Sequence, residues 1–304
     1  MDTSSEGEWA MPIVMFLNLK GGVAKTTNTV CVAEQLAAQG KKVLVVDADH
    51  QSLAGELLLG VPGMEHVESR KRTLHDLLAY MLSHEFTMGG VPEYVSHKAS
   101  NVEEIQPNLD CIACSHRIDE FVTNMAKAKK GFKSNEEFLS HFNRLRRLFA
   151  RWFNQQYDYT LIDCPPSFAL QVQFLLGVAD SFIIPSIPDP LSVRGSLYLI
   201  ERIRMRGYTR IHCLGTLWCM VRVQVKKHLE IMQKVRRQER EYASLPSPFR
   251  TYIPNSSAIA DAMDSNKTYP TYRAKYQPQV ISNFRDVCKE IVDRINQETV
   301  SSPS

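Results

Sequence analysis

Lys20-Gly21-Gly22-Val23-Ala24-Lys25-Thr26-Thr27 sets two lysines around one glycine pair, and its neighbours decide how it is read. An apolar run, Ile13-Val14-Met15-Phe16-Leu17, precedes it, and a helix-like stretch, Asn28 to Gln39, follows. Strand, glycine loop and helix in that order form the setting of a phosphate-binding loop. Backbone N–H groups of such a loop and of the first helical turn converge on one point and favour an anion there. Lys25 has the reach for terminal phosphates, and the Thr26 hydroxyl suits Mg²⁺. The ordinary loop has glycine six positions before its lysine and again just before it; Leu19 and Ala24 stand there instead.

Two further segments end apolar runs in carboxylates. Lys42-Val43-Leu44-Val45-Val46-Asp47-Ala48-Asp49-His50-Gln51 begins as a strand buried on both faces, the pattern of a parallel sheet. Tyr159-Thr160-Leu161-Ile162-Asp163-Cys164-Pro165-Pro166-Ser167 repeats the design. Ligands of open α/β sheets lie beyond the carboxyl ends of strands, so Asp47, Asp49 and Asp163 are expected at the mouth of the phosphate loop. Alone, a strand-ending aspartate is only a common turn starter. The expected fold is α/β, a doubly wound, mostly parallel sheet with helices on both faces.

Together, K-G-G-x-x-K-[ST], D-x-D-x-Q and D-C-P-P-S resemble the deviant Walker A, D-x-D and Walker B segments of the ParA/MinD ATPases. The resemblance extends through Asn108–Ser115, Asp180–Pro185, Cys213–Trp218 and Ile253-Pro254-Asn255-Ser256-Ser257, where the family carries an "IPRN" segment over adenine. It implies ATP and Mg²⁺ as ligands. Contacts to the nucleotide carry over to Lys20, Gly21, Gly22, Val23, Ala24, Lys25, Thr26, Thr27, Asp163, Met220 and Pro254. Metal contacts, direct or through water, carry over to Thr26, Asp47 and Asp163. Asp49 is expected to orient or deprotonate the attacking water, and Lys20 to reach the phosphates of a partner subunit in an ATP-bound homodimer. Ala24, His50 and Asn255 depart from the commoner glycine, proline and arginine.

Length and composition suit one domain over residues 1–298 with a frayed tail, 299–304; 44% of the 304 residues are hydrophobic. No apolar stretch approaches the ~20 residues of a membrane span. The polar, acidic first ten residues lack the features of a secretory signal, and no N-terminal helix-turn-helix is expected before the first strand. The seven single cysteines read as reduced, buried thiols of a cytoplasmic protein. Cys111-x-x-Cys114 on a strand points its thiols to opposite faces, against a shared metal or iron–sulfur cluster. His84, His97 and His116 are too scattered for a metal site.

Met64–Arg72 reads as a polar loop and Leu74–Leu82 as an apolar-faced helix. Ser134-Asn135-Glu136-Glu137 reads as a helix start. Phe138, Phe142, Leu145, Leu148, Phe149 and Trp152 then form a core stripe opposite a solvated or partner-binding face of Arg144, Arg146, Arg147 and Arg151. Charge is concentrated further on: Arg194 to Arg250 holds thirteen Lys or Arg against four Glu, a surplus of nine on a chain whose total is +3. Arg222, Lys226, Lys227, Lys234, Arg236 and Arg237 lie in or beside an expected helix, Gln224–Tyr242, and are the candidate contacts to DNA phosphates. The resemblance implies nucleoid-associated, sequence-independent binding of double-stranded DNA by the ATP dimer, with a ParB-like or other adaptor stimulating hydrolysis. Such a switch partitions plasmids or chromosomes, or positions other cargo. The mixed-charge C-terminal helix, Val287–Ile295, lacks the basic, Phe/Leu-rich membrane tail of MinD. A scaffold that recruits protein without binding DNA is the competing reading.

Overall fold

The computed structural model describes residues 12–301. The polar N-terminal stretch and residues 302–304 of the expected frayed tail lie outside them. Six strands form one sheet: β1 (Ile13–Phe16), β2 (Val43–Asp47), β3 (Leu109–Ile112), β4 (Tyr159–Asp163), β5 (Ser181–Ser186) and β6 (His212–Trp218). Their order is β3-β2-β4-β1-β5-β6, and every ladder is parallel. The helices between them are α1 (Lys25–Ala38), α2 (Leu53–Ser69), α3 (Leu74–Met81), α4 (Phe121–Lys129), α5 (Asn135–Gln156), α6 (Leu170–Leu176) and α7 (Pro190–Met205). After β6 come α8 (Lys226–Arg236), α9 (Ser257–Ala262), α10 (Tyr272–Lys275) and α11 (Pro278–Ser301).

Parallel strands joined by crossover helices are buried on both faces, which is why β1 reads as unbroken apolar sequence. Its alternate residues divide between two cores. Val14 and Phe16 join Val30, Leu36, Phe284 and Val287 under α1 and α11. Ile13 and Met15 join Leu77, Phe149, Phe174 and Leu199 under α3, α5, α6 and α7. A third cluster, with Trp218, Ile231 and Val235, seats α8 beside Val193 of α7. β4 and β5 flank β1, so the chain reverses winding direction there, and the crevice at its C-terminal end is the ligand position this topology provides.

Four local expectations change. Met64–Ser69 is helical, not a loop: Gly60, at φ 69°, breaks α2, and Pro62 restarts it in the first turn, burying Met64 and Val67. The expected helix Gln224–Tyr242 is α-helical only over Lys226–Arg236; Gln238 at φ 51° turns the chain, and a short 3-10 turn follows at Arg240–Tyr242. α11 is longer than Val287–Ile295, and its backbone is helical through Ser301. Arg146 leaves the solvated face of α5 to lie over the Phe142 ring, 4.9 Å from its centroid.

Cys111, on β3, belongs to one core, and Cys114, two residues beyond the end of that strand, to the other. Among the described residues no cysteine forms a disulfide, and of the seven only Cys213 is not fully buried. Burial pushes the Cys31 and Cys219 thiols up to about 12, far from the reactive thiolate range. Titration of the native protein with Ellman's reagent at pH 8 is therefore expected to modify Cys213 at most. All seven should react after unfolding, and a second fast-reacting native thiol would contradict this packing.

Candidate nucleotide site

The loop after β1 is held from below by Asn18, whose Nδ2 donates to Pro185 O at 2.7 Å and Ser196 Oγ at 3.2 Å. Its Oδ1 accepts from Lys20 N–H at 3.0 Å. Val23 is fully buried, while Lys20, Gly21 and Gly22 face solvent. Gly22 (φ 70°) and Ala24 (φ 61°) both lie in the left-handed region, so Ala24 carries its Cβ where the commoner glycine has none. No side chain caps α1 at Ala24. Lys25, Thr26 and Thr27 form the uncapped first turn, whose free N–H groups make an anion seat.

Lys25 is 7% exposed, and its Nζ folds back to donate to Lys20 O at 3.1 Å. Burial lowers its affinity for a proton, against the attraction of Asp163. Thr26 Oγ1 donates to Asp163 Oδ2 at 2.7 Å, and Thr29 Oγ1 lies 3.3 Å from Asp163 Oδ1. Asp163 and Asp47 stand side by side because β2 and β4 pair in register. Burial raises Asp163 to about 7 despite the Thr26 donor and Lys25. Burial, then the Asp163 charge, raises Asp47 well above the usual carboxylate range. Asp47 accepts from Asp49 N–H at 3.0 Å and Gly55 N–H at 2.9 Å, which shapes the turn presenting Asp49. Asp49 is 9% exposed and accepts from Gln51 N–H at 3.1 Å. Lys25, Thr26, Asp47, Asp49 and Asp163 thus share one crevice.

The segment after β6 closes another side. Asn28 Nδ2 donates to Ala24 O at 2.6 Å and lies 3.1 Å from Cys219 Sγ, placing Met220 beside the start of α1. Val221 pairs with Pro254, so the Ile253–Ser257 segment reaches the same side. With its amide oriented to accept, Asn255 Oδ1 receives Arg222 Nε and Nη2 at 2.9 and 3.2 Å. Arg222 is therefore tied to this segment rather than carried on the basic helix. Lys226, Lys227 and Arg236 are exposed on α8, Lys234 is partly exposed, and Arg237 ends the helix. Of these six basic residues only Lys227 has a carboxylate partner among the described residues, Glu230 at 3.6 Å.

Sequence reading missed Asn18 and Thr29. Thr29 was detectable in principle, lying one turn after Thr26 on the face that meets a strand-ending aspartate; Asn18 acts through β5 and α7, which no local pattern reveals.

A family model, AAA_31, described as an AAA domain, matches residues 11–210. The chain belongs to this family of ParA/Soj/MinD ATPases. The sporulation initiation inhibitor protein Soj of Bacillus subtilis is 26% identical over 282 residues, 92% of this chain and 97% of Soj. The pnob8 ParA structure superposes with a TM-score of 0.67 at 18% identity, covering 94% of this chain and 99% of that one. Cobyrinic acid a,c-diamide synthase from Mycobacterium smegmatis, solved with a bound ATP analogue and magnesium, superposes at 0.65 and 19% identity over 93% and 94% of the two chains. This ParA/Soj-like chain shares their α/β fold, and no helix among its described residues is long and apolar enough to cross a membrane.

Proposed function

We propose that the protein is an ATP-hydrolysing switch whose ATP-bound homodimer binds double-stranded DNA without sequence preference and positions a plasmid, chromosome or other cargo. The observation that carries this is the convergence of Lys25, Thr26, Asp49 and Asp163 in one crevice, with exposed Lys20 at its rim.

The donor set fits Mg²⁺: one hydroxyl and one carboxylate, hard oxygen donors that leave room for water and phosphate oxygens. Thr26 and Asp163 would hold the ion, which supplies charge neutralisation at the phosphates. Asp47 would contact the ion through water, and it shapes the Asp49 turn through Asp49 N–H and Gly55 N–H. Lys25 and the first-turn N–H groups of α1 bind and orient the terminal phosphates. Gly21, Gly22, Val23, Ala24 and Thr27 form the rest of the cradle, and Met220 and Pro254 border the base. Asp49 accepts a proton from, or aligns, the attacking water. Lys20 neutralises phosphate charge across the subunit interface, which couples dimerisation to hydrolysis.

DNA contact is assigned to Lys226, Lys227, Lys234, Arg236 and Arg237, with Arg222 positioning the Asn255 segment at their base. A ParB-like or other adaptor would accelerate hydrolysis and release the DNA, giving a cytoplasmic, nucleoid-associated cycle. The test is binding to nonspecific duplex with ATP, ADP or no nucleotide across a salt series. ATP-dependent binding is expected, with the slope of log affinity against log salt falling by about 0.9 for each phosphate contact removed, hence by about 2 in a Lys226→Ala, Lys227→Ala double variant. Absence of DNA binding in every state, with ATP bound, would replace this reading by a protein-recruiting scaffold.

A further inference from the structure

At the end of the sheet opposite the nucleotide crevice, the connections entering β5 and β6 and the middle of α5 enclose a cleft of about 430 Å³. Asn143, Arg146, Arg147, Tyr208, Thr209 and Arg210 supply its polar lining, and among the described residues no Asp or Glu lines it. Among the described residues, Arg146 is oriented by neutral groups. Its Nη1 donates to Asn143 Oδ1 at 3.0 Å and its Nη2 to Gln173 O at 2.8 Å, while its buried Nε–H has no acceptor among the described residues. Gly177 makes this position possible, since a Cβ there would stand 2.5 Å from Arg146 Cδ and Nε.

The same neutral scaffold holds neighbouring groups. Tyr208 Oη donates to Gln173 O at 3.0 Å, and Arg206 Nη1 donates to Gln173 Oε1 at 2.9 Å. Arg147 and Arg210 are exposed and make no hydrogen bond or ion pair among the described residues. The acidic side chain of these connections, Asp180, accepts from Ile13 N–H at 2.9 Å. Guanidinium groups gathered without a counter-charge repel one another, and their forked donors match oxyanions. Several charges in so small a volume call for a ligand whose negative charge is equally compact. Phosphate groups meet that need better than carboxylates spaced along a peptide.

We propose that this cleft binds a phosphate-bearing anion, with Arg146, Arg147 and Arg210 as its ligands. The site stands apart from the phosphate loop and does not depend on the function proposed above. Its phosphate could belong to a free oligophosphate or to a nucleic-acid backbone.

The test uses the whole chain loaded with ADP and Mg²⁺, so that the phosphate loop is filled. Tripolyphosphate is titrated by calorimetry, while the Arg146 Nε–H resonance is followed in arginine-labelled protein. Wild type is expected to bind and to move that resonance. Arg147→Gln with Arg210→Gln, which removes no contact made in the fold, should bind at least tenfold more weakly with ADP affinity unchanged. Duplex DNA that displaces tripolyphosphate and moves the same resonance identifies a nucleic-acid backbone as the source; DNA that leaves it unmoved identifies a free oligophosphate. No tripolyphosphate binding, binding undiminished in the double variant, or equal displacement by polyglutamate would overturn the proposal.

Discussion

Asp49→Ala is expected to lower ATP turnover by at least about a hundredfold, the usual contribution of a positioned proton acceptor, while leaving ATP affinity nearly intact. The side chain sits at the mouth of the crevice and is 9% exposed. Among the described residues it makes one bond to the backbone, from Gln51 N–H at 3.1 Å, so truncation does not dismantle the turn that Asp47 holds through Asp49 N–H and Gly55 N–H. Binding and chemistry should therefore separate: Lys25, Thr26 and the first turn of α1 still receive the phosphates. On the proposed cycle, the variant accumulates as an ATP dimer that stays on DNA. Phosphate release in steady state, nucleotide binding at equilibrium and ATP-dependent retention on duplex DNA measure the three consequences. Turnover close to wild type would remove Asp49 from its assigned role.

Lys275→Met should destabilise the protein by about 3–5 kcal/mol, because it strands a buried carboxylate. Glu34 of α1 is 0% exposed, and Lys275 Nζ lies 2.8 Å from it. Lys275 also donates to Asn101 Oδ1 at 2.8 Å. Tyr276 Oη at 2.7 Å and Ser100 Oγ at 3.0 Å complete the shell of Glu34. The pair's attraction offsets a large desolvation cost, so removing both charges is far milder than removing one. Urea unfolding of Lys275→Met, Glu34→Leu and the double variant gives the coupling directly. The double variant should be much more stable than the sum of the single losses predicts, and additive losses would mean that the pair is not the joint between α1 and α10. This joint matters to the site because α1 also presents Lys25 and Thr26.

The candidate nucleotide crevice was legible because its parts are short and local. Apolar strands ending in Asp47 and Asp163, and a glycine loop before a helix, each lie within about ten residues, and a parallel sheet brings such strand ends together. Where local pattern and tertiary burial diverged, the reading failed. Met64–Arg72 is polar in sequence, yet Pro62 restarts a helix that needs to bury only Met64 and Val67. Arg146 belongs to a charged stripe of α5 by spacing, yet Phe142, Gly177 and Gln173 draw it inward.

Sequence by itself determined the parallel α/β layering, the glycine loop between β1 and α1 and the two acidic strand ends, since backbone geometry and side-chain periodicity dictate these over a few residues. Only the tertiary structure decided that Asn18 is anchored by β5 and α7, that Arg222 clasps Asn255, and that Glu34 meets Lys275 across 241 residues of chain. It also gathered Arg146, Arg147 and Arg210 into one cleft from two distant segments. Such contacts are matters of packing between elements, and buried polar groups take whichever partners that packing brings within hydrogen-bond reach.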